Sequence, residues 1–152
     1  MKKIVTLISY GTSNINSLAK KIYNNGFEVK IASKPKDLCG ASKIIIPGIG
    51  NFSAVMKALV SSGMDEGLRE KIAGEKVPTL GICLGMQLLF EGSEEGAGKE
   101  ACVGLGVVPG VIKRIDFSKT VPHIGWKRVL FSKDSILAQG IDPKKRFYFT
   151  HS

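Results

Sequence analysis

The chain has 152 residues, 43% of them hydrophobic and 23% charged, with 18 glycines, three cysteines and a formal net charge of +9. That is enough chain for one domain with its own core, in an ordinary globular composition, and no apolar run approaches the ~20 residues that cross a bilayer. The basic residues are scattered (Lys2-Lys3, Lys20-Lys21, Lys34 and Lys36, Lys113-Arg114, Lys127-Arg128, Lys144-Lys145-Arg146); without a run or a helical stripe they read as solvated faces, against nucleic-acid binding.

Residues 4–8 form an apolar run too short for a secretory signal and read as a buried strand. An odd number of cysteines (Cys39, Cys83, Cys102), with no CxxC pair and no ligand-like spacing, fits a reduced cytoplasmic protein without a metal site. Cys39 and Cys102 are read as structural or incidental.

The pattern then alternates. Residues 15–25 are amphipathic through Ile15, Leu18 and Ile22, with Asn14 placed to cap the helix and Gly26 to stop it. Strands are expected at 27–32 and 43–46, a helix at 52–60 ending at Ser61-Ser62-Gly63, and a short helix to residue 73 capped by Asp65. A strand at 78–82 feeds a helix at 84–91, and 92–98 reads as a polar, glycine-rich loop. Beyond it, short strands at 103–108, 111–116, 127–131 and 146–150 suggest antiparallel pairing. The first half is βαβα. The fold expected is therefore α/β: a mostly parallel central sheet flanked by helices, with an antiparallel extension in the second half, as a single domain over 1–152.

Cys83 stands at the junction of the strand at 78–82 and the helix at 84–91, in Gly81-Ile82-Cys83-Leu84-Gly85. This is the cysteine form of a nucleophile elbow, in which flanking glycines allow a sharp turn that lifts one side chain clear of the backbone. N–H groups at the start of the following helix favour thiolate over thiol. A small buried core cysteine is the alternative. Pro47-Gly48-Ile49-Gly50 ends the third strand. Alone it reads as a tight turn; beside the elbow it offers one half of an oxyanion hole, with the N–H of Leu84 as the other half. Gln87 lies one helical turn from Cys83. Glu95 reads either as a solvated loop acid or as a carboxylate that folds over a cation. Trp126 is open between core and interface, and Asn14 between cap and interface.

Pro47-Gly48-Ile49-Gly50, Gly81-Ile82-Cys83-Leu84-Gly85-Met86-Gln87 and Ser93-Glu94-Glu95-Gly96 resemble the class I (triad) glutamine amidotransferases. Tyr10-Gly11-Thr12-Ser13-Asn14, Val121-Pro122-His123-Ile124-Gly125-Trp126 and Phe147-Tyr148-Phe149-Thr150-His151-Ser152 narrow the resemblance to the branch of glutaminase subunits of imidazole glycerol phosphate synthases. The resemblance implies that Cys83 attacks the glutamine amide, that the N–H groups of Gly50 and Leu84 hold the oxyanion, and that Gly48, Gln87, Glu95, His151 and Ser152 form the substrate pocket, with Glu95 facing the α-ammonium. It implies no cofactor. The implied partner is a (β/α)8-barrel cyclase, met through Asn14, Trp126 and Tyr148, to which ammonia passes for reaction with a ribulosyl aminoimidazole carboxamide nucleotide in histidine biosynthesis.

A cysteine amidase also needs a base. The family supplies it in a His-Pro-Glu stretch that is not among these residues; His123 and His151 match other family positions. The domain is therefore expected to be C-terminally incomplete and this chain to be inactive or nearly so, with Cys83→Ala changing nothing in it. The alternatives carried forward are an amidotransferase subunit of surface-sugar biosynthesis, since Ser9-Tyr10-Gly11 stands where many members have Asp-Tyr-Gly, a non-catalytic partner-binding pseudo-glutaminase, and a thiol hydrolase with a different histidine partner.

Overall fold

In the computed structural model, which describes residues 3–11, 14–95, 102–115 and 121–152, the chain divides into two compact units, Met1–Lys113 and Arg114–Ser152. The first is organised by β1 (Lys3–Ile8), α1 (Ile15–Asn24), β2 (Phe27–Ala32), β3 (Ile44–Ile46), α2 (Phe52–Ser61), α3 (Met64–Arg69) and β4 (Thr79–Gly81). The strands form one parallel sheet in the order β2-β1-β3-β4.

Side-chain alternation decides which residues each face buries. Val5, Leu7 and Ile45 pack with Ile15, Leu18 and Ile22 of α1. Ile8, Ile44 and Ile46 pack with Phe52, Val55, Met56 and Leu59 of α2 and Met64 and Leu68 of α3. Both faces are covered, as an all-parallel sheet requires. No helix of the described residues is long and apolar enough to cross a membrane.

The helix ends differ from expectation. Asn14 precedes α1 without a side-chain capping bond, whereas Asn51 caps α2, its Oδ1 accepting from Ala54 N at 3.1 Å. Gly63, in the left-handed region at φ 69°, precedes α3. Asp65 is therefore inside the first turn and not the cap. It is only 6% exposed and receives Arg69 Nη1 at 2.7 Å. The same guanidinium donates to Leu105 O at 3.0 Å and Gly104 O at 3.2 Å, so the pair ties α3 to the Gly104-Leu105 loop. The helix expected through residue 73 ends at Arg69 and continues as a wider turn over Glu70–Gly74.

After β4 comes one helical turn, α4 (Leu84–Gln87), then β5 (Phe90–Ser93), β6 (Cys102–Val103) and β7 (Val108–Ile112). The helix expected to reach residue 91 stops early because its next backbone groups are taken by neighbours. Leu88 O accepts from Leu105 N, Leu89 O from Val108 N, and Glu91 O from Gly104 N. Residues 92 and 93, expected in a loop, are buried strand, and residues 96–98 of that loop lie outside the described residues. The strand expected at 103–108 is interrupted at Gly104-Leu105-Gly106, with Gly106 at φ 65°, and the one expected at 111–116 begins at Val108. β5 pairs antiparallel with β6 and parallel with β7, so the antiparallel extension expected in the second half is present beside one parallel pair.

The second unit is built on a ribbon of β8 (His123–Arg128) and β9 (Arg146–His151), antiparallel with His123 opposite His151 and Trp126 opposite Tyr148. β8 starts four residues before the strand expected at 127–131, because its pairing with β9 runs the whole length from His123 to Arg128.

Close backbone approach dominates the crossing of β3 and the segment after β4. A Cβ at Gly85 would lie 2.0 Å from Ile46 O and 2.7 Å from Pro47 O. Gly85→Ala is accordingly expected to cost roughly 3 kcal/mol or more in urea unfolding, since backbone is displaced rather than a side chain. Gly26→Ala, at φ 84° but in open space, should cost only about 1 kcal/mol through its left-handed conformation; equal costs at the two positions would contradict this packing.

Candidate active site

β4 carries the chain straight into Cys83, which sits at φ 53° and ψ −118°, a conformation that L-residues occupy only when the surroundings enforce it. Those surroundings are backbone. Ile82 N donates to Ile46 O at 2.9 Å and Gly85 N to Ile82 O at 2.9 Å. A Cβ at Gly81 would meet Met86 Cα at 2.4 Å, and one at Gly48 would meet Gly85 N at 2.1 Å and Leu84 N at 2.6 Å. The turn after β3 and the elbow after β4 are thus interlocked through three glycines, and the Cys83 side chain is exposed. A buried core cysteine is excluded by that exposure.

The elbow helix is a single turn, so its dipole is smaller than a helix through residue 91 would give. Most of its first N–H groups are also engaged: Gly85 N by Ile82 O, and Met86 N and Gln87 N by Cys83 O at 2.9 and 3.2 Å. The N–H of Leu84 has no backbone acceptor among the described residues, as an oxyanion donor needs. Gly50, at φ 112°, closes the facing turn in open surroundings. Gln87 is half-buried one turn beyond Cys83.

Glu95 reaches this turn from the end of β5. Its N–H donates to Ser93 Oγ at 3.0 Å, and its Oε2 accepts from Phe52 N at 3.2 Å, two residues after Gly50. Its neighbour Glu94 faces Lys113 at 3.5 Å. Of the two adjacent glutamates, Glu95 is the one turned to the glycine turn.

Sequence reasoning missed Tyr10 as an individual residue. Its hydroxyl donates to Pro47 O. Burial, reinforced by the nearby Cys83 and partly opposed by the N–H of Ile49, pushes its pKa up to about 12. The signal was the Tyr10-Gly11 step at the end of β1, where a glycine lets the chain turn away from the ring.

Of the remaining candidates, Asn14 belongs to the first unit and the others to the second. His123 Nδ1 and His151 Nε2 are 3.0 Å apart, so the two histidines partner each other across the ribbon. Trp126 and Tyr148 pack edge to face with centroids 5.6 Å apart and are 62% and 56% exposed. That exposure removes core packing as the explanation for Trp126. Ser152 and Asn14 are exposed. Among the described residues no three His, Cys, Asp or Glu side chains converge on a metal position.

Comparison with known proteins places this geometry. The family model described as glutamine amidotransferase class-I matches residues 6–152. Imidazole glycerol phosphate synthase subunit HisH 1 of Campylobacter jejuni (strain RM1221) is 42% identical over 151 residues, covering 98% of this chain and 74% of that protein. The HisH subunit of Leptospira borgpetersenii is 38% identical over 154 residues, covering 98% and 74%. The chloroplastic imidazole glycerol phosphate synthase hisHF of Arabidopsis thaliana is 40% identical over 151 residues, which span 98% of this chain but 25% of that one. A crystal structure titled as a glutamine amidotransferase superposes with a TM-score of 0.69 at 20% identity, covering 97% of this chain and 69% of that one, and supports the fold. With an exposed cysteine at a glycine-locked elbow, a facing glycine turn and these relatives, the chain belongs to the class-I glutamine amidotransferase family.

Proposed function

We propose that this chain is the glutaminase part of an imidazole glycerol phosphate synthase, acting as one amidotransferase domain that frees ammonia from glutamine for a (β/α)8-barrel cyclase in histidine biosynthesis. The observation that carries the reading is the interlock of Gly48 with Gly85, which presents Cys83 to the glycine turn. The cytoplasm is the compartment this chemistry fits.

In this reading the Cys83 thiolate attacks the side-chain amide carbon. The new C–S bond pushes the carbonyl electrons onto oxygen, and the N–H groups of Leu84 and Gly50 receive that charge. Collapse breaks the C–N bond; ammonia leaves once its nitrogen has gained a proton, and water then cleaves the thioester to glutamate. Glu95 faces the α-ammonium of the substrate, and Gln87 and Gly48 stand beside it. The proton transfers need a base, and the two histidines of the chain are engaged with each other. The 152 residues by themselves are accordingly assigned binding and nucleophile but not efficient turnover.

The test is ammonia release from glutamine by the chain mixed with a barrel cyclase and its nucleotide ligand. Turnover close to background is expected, while an activated γ-aryl ester of glutamate, whose leaving group needs no proton, should still acylate Cys83 and not Cys83→Ala. Brisk turnover lost in Cys83→Ala would mean that His123, His151 or the cyclase supplies the base, and would overturn this account. Glu95→Gln should raise the ester concentration for half-maximal acylation about 10- to 100-fold, the worth of one charge-assisted hydrogen bond; an unchanged value would remove Glu95 from the pocket.

Exposed Trp126 and Tyr148, with Asn14, are proposed to face the cyclase. Trp126→Ala should weaken cyclase binding in titration calorimetry by about 2 kcal/mol, the scale of an aromatic interface anchor, and leave the thermal midpoint of the free chain within a few degrees. Undiminished binding would place the interface elsewhere.

A further inference from the structure

The turn that faces Cys83 is Pro47-Gly48-Ile49-Gly50, and glycines at two of its four positions leave its peptide planes free to rotate. An oxyanion donor is useful only if its N–H direction is held before the charge forms. Gly48 is held from the elbow side by Gly85 and Leu84, and the far end by Glu95 at Phe52 N. The carbonyl of Pro47, which sets the plane leading into Gly48, lies against Gly85 and receives the Tyr10 hydroxyl.

We propose that Tyr10 is a positioning residue for the oxyanion turn, its hydroxyl fixing the Pro47–Gly48 peptide so that the following N–H groups are set for a tetrahedral adduct on Cys83. The inference rests on the amidotransferase reading of the site and adds a residue to it. Tyr10 sits at the end of β1, directly beside β3 in the sheet order, so the hydroxyl is referenced to the rigid centre of the fold. The hydroxyl acts on the peptide ahead of Gly48, donating to Pro47 O. A phenol is protonated in the neutral range at its ordinary value of about 10, and burial pushes this one further up, to about 12, so the hydroxyl stays a donor.

The test compares two reactions of the same thiol in the 152-residue chain. Acylation of Cys83 by an activated γ-aryl ester of glutamate passes through a tetrahedral oxyanion; alkylation by iodoacetamide does not. Tyr10→Phe keeps the ring and removes the hydroxyl. It is expected to slow acylation about tenfold or more at saturating ester, the scale of a misplaced reacting geometry, with the half-saturating concentration unchanged and alkylation within about twofold of wild type. Equal losses in both reactions would make Tyr10 a determinant of the thiol or of the fold, and no loss would make it a bystander; either result overturns the proposal. An unmodified chain that is acylated no faster than Cys83→Ala would instead overturn the amidotransferase reading, and the proposal with it. A second measurement needs no variant. In ultraviolet titration of the unmodified chain, Tyr10 should titrate late, at about 12; the absence of any late phenol would mean that the ring is not buried against the turn and would overturn the proposal.

Discussion

Backbone packed directly on backbone is the constraint on which the site depends. Where the end of β3 crosses the elbow, Gly48, Gly81 and Gly85 have no room for a Cβ. That closeness holds Cys83 in a conformation a non-glycine residue would otherwise leave. The strain is local, and the core on either side of the sheet offsets it. Ile44 and Ile46 anchor one end of the crossing and Leu84 and Leu88 the other, all in the same buried cluster. A nucleophile carried this way is aimed by the sheet and not by a loop, so its direction is as well defined as the strand order.

The charged groups extend the same logic outward from that crossing. Asp65 is buried and Arg69 is partly exposed, and such a pair is weak evidence for stability by itself. Their geometric effect is clearer, because the guanidinium also grips Gly104 and Leu105. That loop passes its backbone bonds to Leu88 and Glu91 on either side of the start of β5. β5 in turn ends at Ser93, which orders Glu95 and delivers its carboxylate to the first N–H of α2. A chain of ordinary contacts thereby connects a helix on one face of the sheet to the carboxylate beside the glycine turn.

Much of this was legible in the sequence. The apolar runs of β1 and β3, the stripe of α1 and the glycine-flanked Cys83 depend on local pattern and on residue type, and these survive folding unchanged. The fold class and the family followed from them and from the motifs around Pro47, Cys83 and Glu95. The errors cluster where tertiary pairing outbid local preference. Leu88 to Glu91 read as helix, yet their carbonyls accept from the N–H groups of Gly104, Leu105, Gly106 and Val108. Asp65 reads as a cap by type, yet burial beside Arg69 uses it as an ion-pair partner. Asn14 likewise reads as a cap but makes no capping bond.

The sequence by itself determined the chemistry on offer: a thiol at an elbow, glycines where backbones must touch, a carboxylate in the right segment, and two histidines with no acid beside them. These are properties of residue type and spacing. Only the tertiary structure decided which N–H remains available at the elbow, that Glu95 and not Glu94 meets the turn, that Tyr10 reaches Pro47 from a different strand, and that His123 and His151 partner each other. Each of those depends on distances between segments far apart in the chain, set by strand order and register, which no local pattern encodes.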